Sequence, residues 1–378
     1  MNVIAPVRNV PFFDYKAFFG NQETEFTEVI QDVLRRGAFI LQKDLRDFEA
    51  ALADYLGVKH AIGLSNCTDA LIVALRTAGI GPGDEVIFPS HTFVASPSSI
   101  HWAGATPVPV ECGADHLIDP DAIRAAITSK TKAIMPVSLN GRTCNFDPIE
   151  QIAKEYGLTI VEDSAQALGS KYKGRFAGTF GVAGTFSFYP AKILGCFGDG
   201  GALVTNDDEI AHKTLLYRDH GRDEETGEVE QWGFNFRLDN LQAAILHLQF
   251  KDYDKTIARR RRVASIYDQA LRDLPQLTLP PAPDSDPDHF DVYQNYEIEA
   301  DERDGLREFL KDNGIGTLVQ WGGKAVHQWK KLGFDVSLPR TEKVFERCML
   351  LPCNLFLSDD DVRYVSDKVR EFYASPRS

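Results

Sequence analysis

The chain has 378 residues, of which 43% are hydrophobic and 25% charged, the composition of an ordinary globular protein with room for two domains. Its formal net charge of −14 argues against a general nucleic-acid binder and against a protein of anionic membrane surfaces, since both need a cationic face. Any anionic ligand must therefore be held by local donors.

Cysteine spacing and hydropathy argue against several further classes of protein. The six cysteines form no CxxC pair and no metal-ligand spacing, so we expect reduced thiols, no bound metal and a cytoplasmic location. The opening residues, MNVIAPVRNVPFFDYK, lack a charged segment followed by a long apolar run, and we expect no signal peptide. No apolar stretch approaches the roughly 20 residues that a membrane span needs.

Short apolar runs alternate with helical patterns from about residue 26 to residue 250. EVIFPS, KAIMPVSL, LTIVEDSA and GTFSFYP are typical of strands. DALIVALRTAG and DPIEQIAKEYG have helical spacing and stop at Gly79 and Gly157, as helices often do. This alternation predicts an α/β fold with a mainly parallel sheet covered by helices, and ligands bind at the strand ends of such sheets.

The rest of the chain predicts a long helix and a smaller unit. A helical pattern runs through residues 238–271 and includes the basic run Arg259 to Arg262, which we interpret as a solvated helix face. After the loop PPAPDSDPDHFD come a strand in VYQNYEIEA, a helix, another strand and a closing helix. We therefore predict a large domain, residues 1–250, and a small α+β domain, residues 251–378, with residues 1–25 a candidate to pack on the small domain.

The first two stretches with candidate ligand-binding residues follow predicted strands. SNCTDALIVALRTAGIG starts a helix, so the backbone N–H groups of Cys67 and Thr68 are candidates to hold a phosphate. The alternative is a plain N-cap by Thr68 or Asp69. PSHTFVAS places Phe93 in a loop, where it is either a core residue or a platform on which a flat ring stacks.

Two further stretches add an acid and an amine. VEDSAQALG places Asp163 and Gln166 just past a buried strand, where a carboxylate needs a cationic partner unless it only caps the next segment. SFYPAKILGCFGDGG places Lys192 between an aromatic-proline turn and a glycine-rich segment. Lys192 is either a loop lysine that reaches water or a desolvated amine able to form a Schiff base. A phosphate cradle, an acid, an aromatic ring and a lysine are together what pyridoxal 5′-phosphate needs.

The motifs EDSAQALG, SFYPAKILGCFGDGGALVTND and GFNFRLDNLQAAI, in this order, resemble the DegT/DnrJ/EryC1/StrS family of pyridoxal-phosphate-dependent nucleotide-sugar aminotransferases, over nearly the whole chain. The resemblance implies the fold type I architecture of that enzyme class. It also implies the following roles: Lys192 forms the Schiff base, Asp163 pairs with the pyridinium nitrogen, Gln166 lies against the 3-hydroxyl, Phe93 stacks on the ring, and Ser187 holds the phosphate with the amides of Cys67 and Thr68.

The resemblance further implies a homodimer whose active site lies at the subunit interface, with Asn235 of GFNFR reaching the phosphate of the second subunit. Tyr189, Arg222 and His327 are candidates to meet the substrate, Arg222 through a diphosphate. The chain departs from the family at Cys67, where Gly is usual, and in QWGGKAVHQ, which replaces a His/Tyr-Pro pattern.

The activity implied is amine transfer from L-glutamate, or a similar donor, to a nucleotide-linked keto-deoxy sugar, as in the biosynthesis of deoxyamino sugars and O-antigens. SFYPAKILGCFGDGGA resembles the form found in enzymes of 3-keto sugars, so we predict amination at C3 of a 3-keto-6-deoxyhexose. We interpret Pro190 as stiffening the turn and Gly195 as leaving room beside the pocket. A 4-keto sugar is the alternative.

Three other classes of protein fit less well. GIGPGD follows a helix and precedes a strand, which is not the context of a dinucleotide-binding GxGxxG, so a nicotinamide-dependent dehydrogenase is not supported. A family dehydratase has histidine where this chain has Lys192. A non-enzymatic sensor on the same fold remains the third alternative, and only an assay distinguishes it.

Overall fold

The computed structural model of the protein describes residues 8–374. The chain up to residue 218 supplies the following elements: α1 (Tyr15–Gly20), α2 (Glu23–Arg36), α3 (Lys43–Leu56), β1 (His60–Leu64), α4 (Cys67–Thr77), β2 (Glu85–Pro89), α5 (Ala95–Ala103), β3 (Thr106–Val110), α6 (Pro120–Ala126), β4 (Thr131–Ile134), α7 (Phe146–Tyr156), β5 (Thr159–Asp163), β6 (Lys171–Tyr172), β7 (Arg175–Phe176), β8 (Ala183–Ser187), β9 (Gly201–Thr205) and α8 (Asp208–Arg218). The following part supplies α9 (Asn240–Phe250), α10 (Tyr253–Leu271), β10 (Leu277–Thr278), β11 (His289–Phe290), β12 (Tyr296–Ala300), α11 (Arg303–Asp312), α12 (Pro339–Arg347), β13 (Cys348–Leu351) and α13 (Asp359–Ala374). Short 3₁₀ turns lie at Leu139–Gly141, Gln320–Gly323, Val326–Gln328 and Lys330–Leu332.

Seven strands form a central sheet in the order β1-β9-β8-β5-β4-β2-β3. β9 runs antiparallel to β1 and β8, and every other adjacent pair in this sheet is parallel. Alternate residues of β9 enter two cores on opposite faces, since Leu203 packs with α4 whereas Ala202 and Val204 pack with α3. The predicted α/β fold, with a mainly parallel mixed sheet covered by helices, is confirmed.

A second core lies around the antiparallel sheet β10-β12-β13 and is covered by α10, α11 and α13. Val10 belongs to this core, and its backbone N–H donates to the Gly314 carbonyl oxygen at 2.8 Å. α10 contributes to both cores, with Tyr253 and Ile257 in the core beneath the large sheet and Val263 to Leu271 in the second core. The division at residue 250 stays a prediction.

The long helix predicted over residues 238–271 is two helices, because α9 ends at Phe250 and α10 begins at Tyr253. The prediction that the basic run Arg259 to Arg262 forms a solvated helix face was also wrong in part. Arg260 is buried, and its Nη1 donates to the carbonyl oxygens of Tyr293 and Gln294 at 3.0 and 2.9 Å. A guanidinium that satisfies two backbone carbonyl groups is tolerated inside the protein, where an unpaired cation is not.

Glycines end the two helices for which the sequence predicted them. Gly157 follows α7 and Gly79 lies two residues past α4, with φ of 65° and 78°, the left-handed conformation that glycine adopts without strain. Within residues 8–374, no helix combines the length and the apolar character of a membrane-spanning segment.

Candidate active site

A cavity of about 520 Å³ opens at the carboxyl ends of the parallel strands. Eight of the eleven predicted site residues line it: Cys67, Thr68, Phe93, Asp163, Gln166, Ser187, Tyr189 and Lys192. Residues that the sequence did not single out for this site also line it, among them Asn66, Thr92, Asp199 and Trp321. The strand-end motifs therefore converge on one concave site.

Sheet register explains why the motifs meet. Gly201, at the start of β9, pairs with Leu64 at the end of β1 and with Ser187 at the end of β8. A Cβ at Gly201 would lie 2.4 Å from the carbonyl carbon of Asn66 and 2.5 Å from the backbone nitrogen of Cys67. Only glycine allows the strand to approach the start of α4 this closely. The last glycine of GDGG therefore lets a helix N-terminus lie beside Ser187.

The N-terminus of α4 is capped by neither of the two predicted residues, Thr68 and Asp69. Asn66 is the N-cap, and its Oδ1 accepts from the backbone N–H of Asp69 at 2.9 Å. Cys67 and Thr68 thus occupy the first turn, whose N–H groups have no partner within the helix and lie at the cavity. Burial raises the pKa of the Cys67 thiol, which donates to Thr185 Oγ1 at 3.5 Å, so this side chain is a neutral packing group.

Asp163 is buried at the end of β5, with few donors on its carboxylate. Ser96 Oγ donates to its Oδ2 at 2.7 Å and the Ala165 N–H to its Oδ1 at 3.2 Å. Burial raises the pKa of Asp163, and these hydrogen bonds and the charge of Lys192 oppose the rise. A carboxylate has about four acceptor positions, so this one retains acceptor capacity for a cationic N–H donor from the cavity.

Lys192 lies in a tight turn after β8. Its backbone N–H donates to the Tyr189 carbonyl oxygen at 2.8 Å. A Cβ at Gly195 would lie 2.9 Å from the Pro190 oxygen, so this glycine lets the turn close; it does not leave room beside the pocket. Burial lowers the pKa of Lys192, and Cys67 and Asp163 oppose that shift. A lowered pKa increases the fraction of neutral, nucleophilic amine.

Gln294 braces the Lys192 turn from the segment before β12. Its Oε1 accepts from the Ile193 N–H at 2.8 Å, and its Nε2 donates to the Ala191 carbonyl oxygen at 2.9 Å. Gln294 is itself buried, and its backbone carbonyl accepts from Arg260. The two backbone groups that flank the lysine are therefore fixed by one side chain.

Gln166 presents a defined end of its amide to the cavity. Its Oε1 accepts from the backbone N–H of Asn140 at 2.8 Å and from Asn295 Nδ2 at 3.4 Å. A backbone N–H only donates, so the oxygen must point to Asn140 and the Nε2 group is the end left for a ligand. Gln166 is thus an N–H donor at the cavity wall.

The aromatic side chains of the cavity lie largely open. Phe93 and Tyr189 are 53% and 52% exposed, although both line the cavity. The Phe93 ring lies 6.5 Å from that of Trp321, centroid to centroid, at an angle of 39°. Phe93 is therefore not a core residue, and a face of its ring is open for stacking.

The structure does not bring the other three predicted site residues to the cavity wall. Asn235 is exposed and bridges to Asp219. Arg222 is bound to the Asp219 carboxylate at 2.6 Å. His327 is buried, with Nδ1 2.7 Å from Ser90 Oγ and Nε2 3.0 Å from Glu342 Oε1, so both ring nitrogens are engaged away from the cavity. The geometry gives no support to a substrate contact by Arg222 or His327 within one subunit.

Pyridoxal 5′-phosphate fits the donor set of the cavity. The α4 N-terminus and Ser187 suit a phosphate, and the Asp163 carboxylate has acceptor capacity for a protonated ring nitrogen. Gln166 offers a donor, Phe93 an open ring face and Lys192 an amine with a lowered pKa. Ser96, which the sequence analysis did not select, is the buried donor that orients Asp163.

Comparisons with known proteins find similar chains over nearly the whole length of this one. Residues 21–370 match the model of the DegT/DnrJ/EryC1/StrS aminotransferase family. A relative from Streptomyces venezuelae, named dTDP-3-amino-3,4,6-trideoxy-alpha-D-glucose transaminase, is 40% identical over 98% of each chain. The pleiotropic regulatory protein of Geobacillus stearothermophilus is also 40% identical, over 97% of this chain and 99% of that one. The crystal structure of S. venezuelae DesV in complex with a ketimine intermediate superposes with a TM-score of 0.93 at 40% identity, covering 98% of this chain and 100% of that one.

Proposed function

Because the chain belongs to the DegT/DnrJ/EryC1/StrS aminotransferase family, whose enzymes depend on pyridoxal phosphate, we propose that it transfers an amino group from L-glutamate to a nucleotide-linked keto sugar. The observation that carries the proposal is the cavity in which Lys192, Asp163 and the α4 N-terminus meet. These groups match the aldehyde, the ring nitrogen and the phosphate of the cofactor.

Each residue has a separate task in this proposal. The bound cofactor supplies an electron sink for the carbanion that amine transfer requires. Lys192 would bind the aldehyde carbon of the cofactor and, once the donor amine has displaced it, would carry a proton on its Nζ from the donor carbon to that former aldehyde carbon. Asp163, oriented by Ser96, keeps negative charge beside the ring nitrogen, and Gln166 donates its Nε2 hydrogen.

We infer that the keto group lies at C3 of the sugar. The S. venezuelae relative is named for a 3-amino sugar, and SFYPAKILGCFGDGGA has the form that resembles enzymes of 3-keto sugars. The turn around Lys192 is closed by Gly195 against Pro190, so this motif sets the position of the amine relative to the bound sugar. A 4-keto sugar is the alternative substrate.

We infer further that the active protein is a cytoplasmic homodimer in which Asn235 completes the site of the partner subunit. Asn235 is exposed and lies outside the cavity of its own chain. Trp232, three residues before it, is 95% exposed, which supports a covered surface in an assembly. All six cysteines are free and buried, which fits a reducing compartment.

The test combines a spectrum with product analysis. The purified protein loaded with pyridoxal phosphate should show a visible band near 400–430 nm, an expectation from the cofactor chemistry, that disappears on adding L-glutamate. The protein is then offered dTDP- or UDP-linked 3-keto and 4-keto sugars, and NMR locates the new amine. An amine found only at C4 would refute the C3 assignment alone. A band that glutamate does not change would refute amine transfer from this donor and favour the alternative of a non-enzymatic sensor.

A further inference from the structure

A buried acidic group, Glu297, lies outside the cavity but is connected to it by hydrogen bonds. Glu297 belongs to β12 and is 4% exposed. Its Oε1 accepts from His116 Nδ1 at 2.7 Å and from Asn140 Nδ2 at 3.1 Å. Its Oε2 accepts from Gln320 Nε2 at 2.8 Å and lies 3.6 Å from His91 Nε2. All four neighbours direct nitrogens at one carboxylate.

The histidines keep this carboxylate ionised. Burial acts to raise the pKa of Glu297, but the charge of His91 and the hydrogen bond from His116 hold it well below its ordinary value. His91 Nδ1 lies 3.3 Å from the His116 carbonyl oxygen, which can only accept, so Nδ1 carries a proton. Burial acts to lower the pKa of His91, but the charge of Glu297 raises it to about 9, which favours a proton on Nε2 as well. The carboxylate therefore acts as a pure acceptor.

An ionised Glu297 determines how the neighbouring amides are turned. Asn140 must direct its Nδ2 to the carboxylate, which leaves its Oδ1 to accept from Asn295 Nδ2 and Gln320 Nε2, each at 2.9 Å. With its Nδ2 fixed in this way, Asn295 also donates to Gln166 Oε1. The orientation is thus passed from Glu297 through Asn140 and Asn295 to Gln166.

The backbone of Asn140 depends on the same anchor. Asn140 has φ of 56° in the Leu139–Gly141 turn, a left-handed conformation that costs energy for residues other than glycine, although less for Asn than for most. Its side chain makes three hydrogen bonds that hold it, and its backbone N–H is the main donor to Gln166 Oε1.

We propose that Glu297 and Asn140 are positioning residues that lock the Gln166 amide with its Nε2 hydrogen toward the bound cofactor. The proposal deepens the proposed function and rests on the place assigned there to the cofactor. In a Glu297→Gln variant, whichever way the new amide turns, one of its N–H groups meets the Nε2 of Gln320 or the Nδ2 of Asn140. The Asn140 side chain then no longer holds its turn, and the backbone N–H that fixes the Oε1 end of Gln166 is displaced, so that Nε2 no longer faces the cofactor.

The experiment compares four single variants and one double variant of the full chain by two readouts. The readouts are the wavelength of the visible band of bound pyridoxal phosphate and the Kd for the cofactor, measured by titrating apo-protein. Glu297→Gln and Asn140→Gly should shift the band in the same direction as Gln166→Ala and raise Kd up to about tenfold, the equivalent of one hydrogen bond. Glu297→Gln combined with Gln166→Ala should change neither readout beyond Gln166→Ala alone.

Glu299→Gln is the matched control. Glu299 lies on the same strand and also binds His116, at 3.2 Å, but makes no bond to Asn140, so its band should stay at the parent position. If Glu297→Gln does not fold, Asn140→Gly carries the test, because glycine enters this turn without strain but lacks the side chain that holds the turn's N–H against Gln166 Oε1. The proposal would be overturned if folded Asn140→Gly, or Gln166→Ala, kept the band at the wavelength of the parent protein. It would also be overturned if the increase in Kd of the double variant equalled the product of the increases of its two single variants. A parent protein whose band glutamate leaves unchanged would instead refute the proposed function.

Discussion

Gly201→Ala should weaken binding of the cofactor through its phosphate. The new Cβ would lie 2.4 to 2.7 Å from the backbone of Asn66 and Cys67, none of which is a flexible side chain. To regain an ordinary contact of about 3.5 Å, the start of α4 must move by about 1 Å. That displacement moves the N–H groups of Cys67 and Thr68 away from a bound anion. Losing charge-assisted hydrogen bonds there costs about 1.5–3 kcal/mol, or roughly 10- to 150-fold in Kd.

The assay measures Kd for pyridoxal phosphate and for pyridoxal, which lacks the phosphate, in the parent and the variant. Only the phosphorylated ligand should bind more weakly. Gly198→Ala is the matched control, because a Cβ there would meet only the flexible end of Gln242 at 3.1 Å. Equal losses for the two ligands, or an unchanged Kd for pyridoxal phosphate, would refute the assignment of the α4 N-terminus as the phosphate cradle.

Three further outcomes are expected. Asp163→Asn should lower kcat about 10²- to 10³-fold with little change in cofactor Kd, since a neutral amide does not hold charge at the ring nitrogen; a near-normal steady-state rate would mean that Asp163 only caps its loop. Gln294→Met should reduce the free energy of unfolding by about 2–4 kcal/mol, because the Ile193 N–H and the Ala191 carbonyl lose their partner. A change below about 0.5 kcal/mol, measured by chemical denaturation, would contradict this. Mixing inactive Lys192→Ala and Asn235→Ala chains should restore part of the activity in hybrid dimers, and no recovery in verified heterodimers would exclude a role across the interface.

The strand-end residues could be predicted because their signals are local. A buried apolar run followed by Asp163, or a strand followed by a capped helix at Asn66, places the polar group at the edge of a parallel sheet whatever the rest of the chain does. The same holds for Lys192, whose turn is fixed by nearby Tyr189 and Gly195. The mainly parallel central sheet, covered by helices, could be predicted from the alternation of strand and helix patterns.

The supporting residues could not be predicted from local pattern, because their partners lie far along the chain. The pattern of VYQNYEIEA predicts a strand, yet β12 begins only at Tyr296, and Gln294 and Asn295 before it bond to loops of the cavity. The burial of Arg260 could have been predicted from its helical spacing, although the basic run that contains it suggests an exposed face. Arg260 lies three residues after Ile257 and three before Val263, both buried, and so on the inward face of α10.

The segment from Gln294 to Glu297 has a consequence for the order in which the protein folds. Its side chains hold residues that precede them by 103 positions at Ala191 and 181 positions at His116. During synthesis the cavity motifs emerge before this segment, so the contacts that brace them form only after it follows. We therefore expect tight binding of the cofactor only once the second core has closed on the first. A chain that stops before Gln294 carries almost every residue of the cavity wall without the braces that set the lysine and the amide.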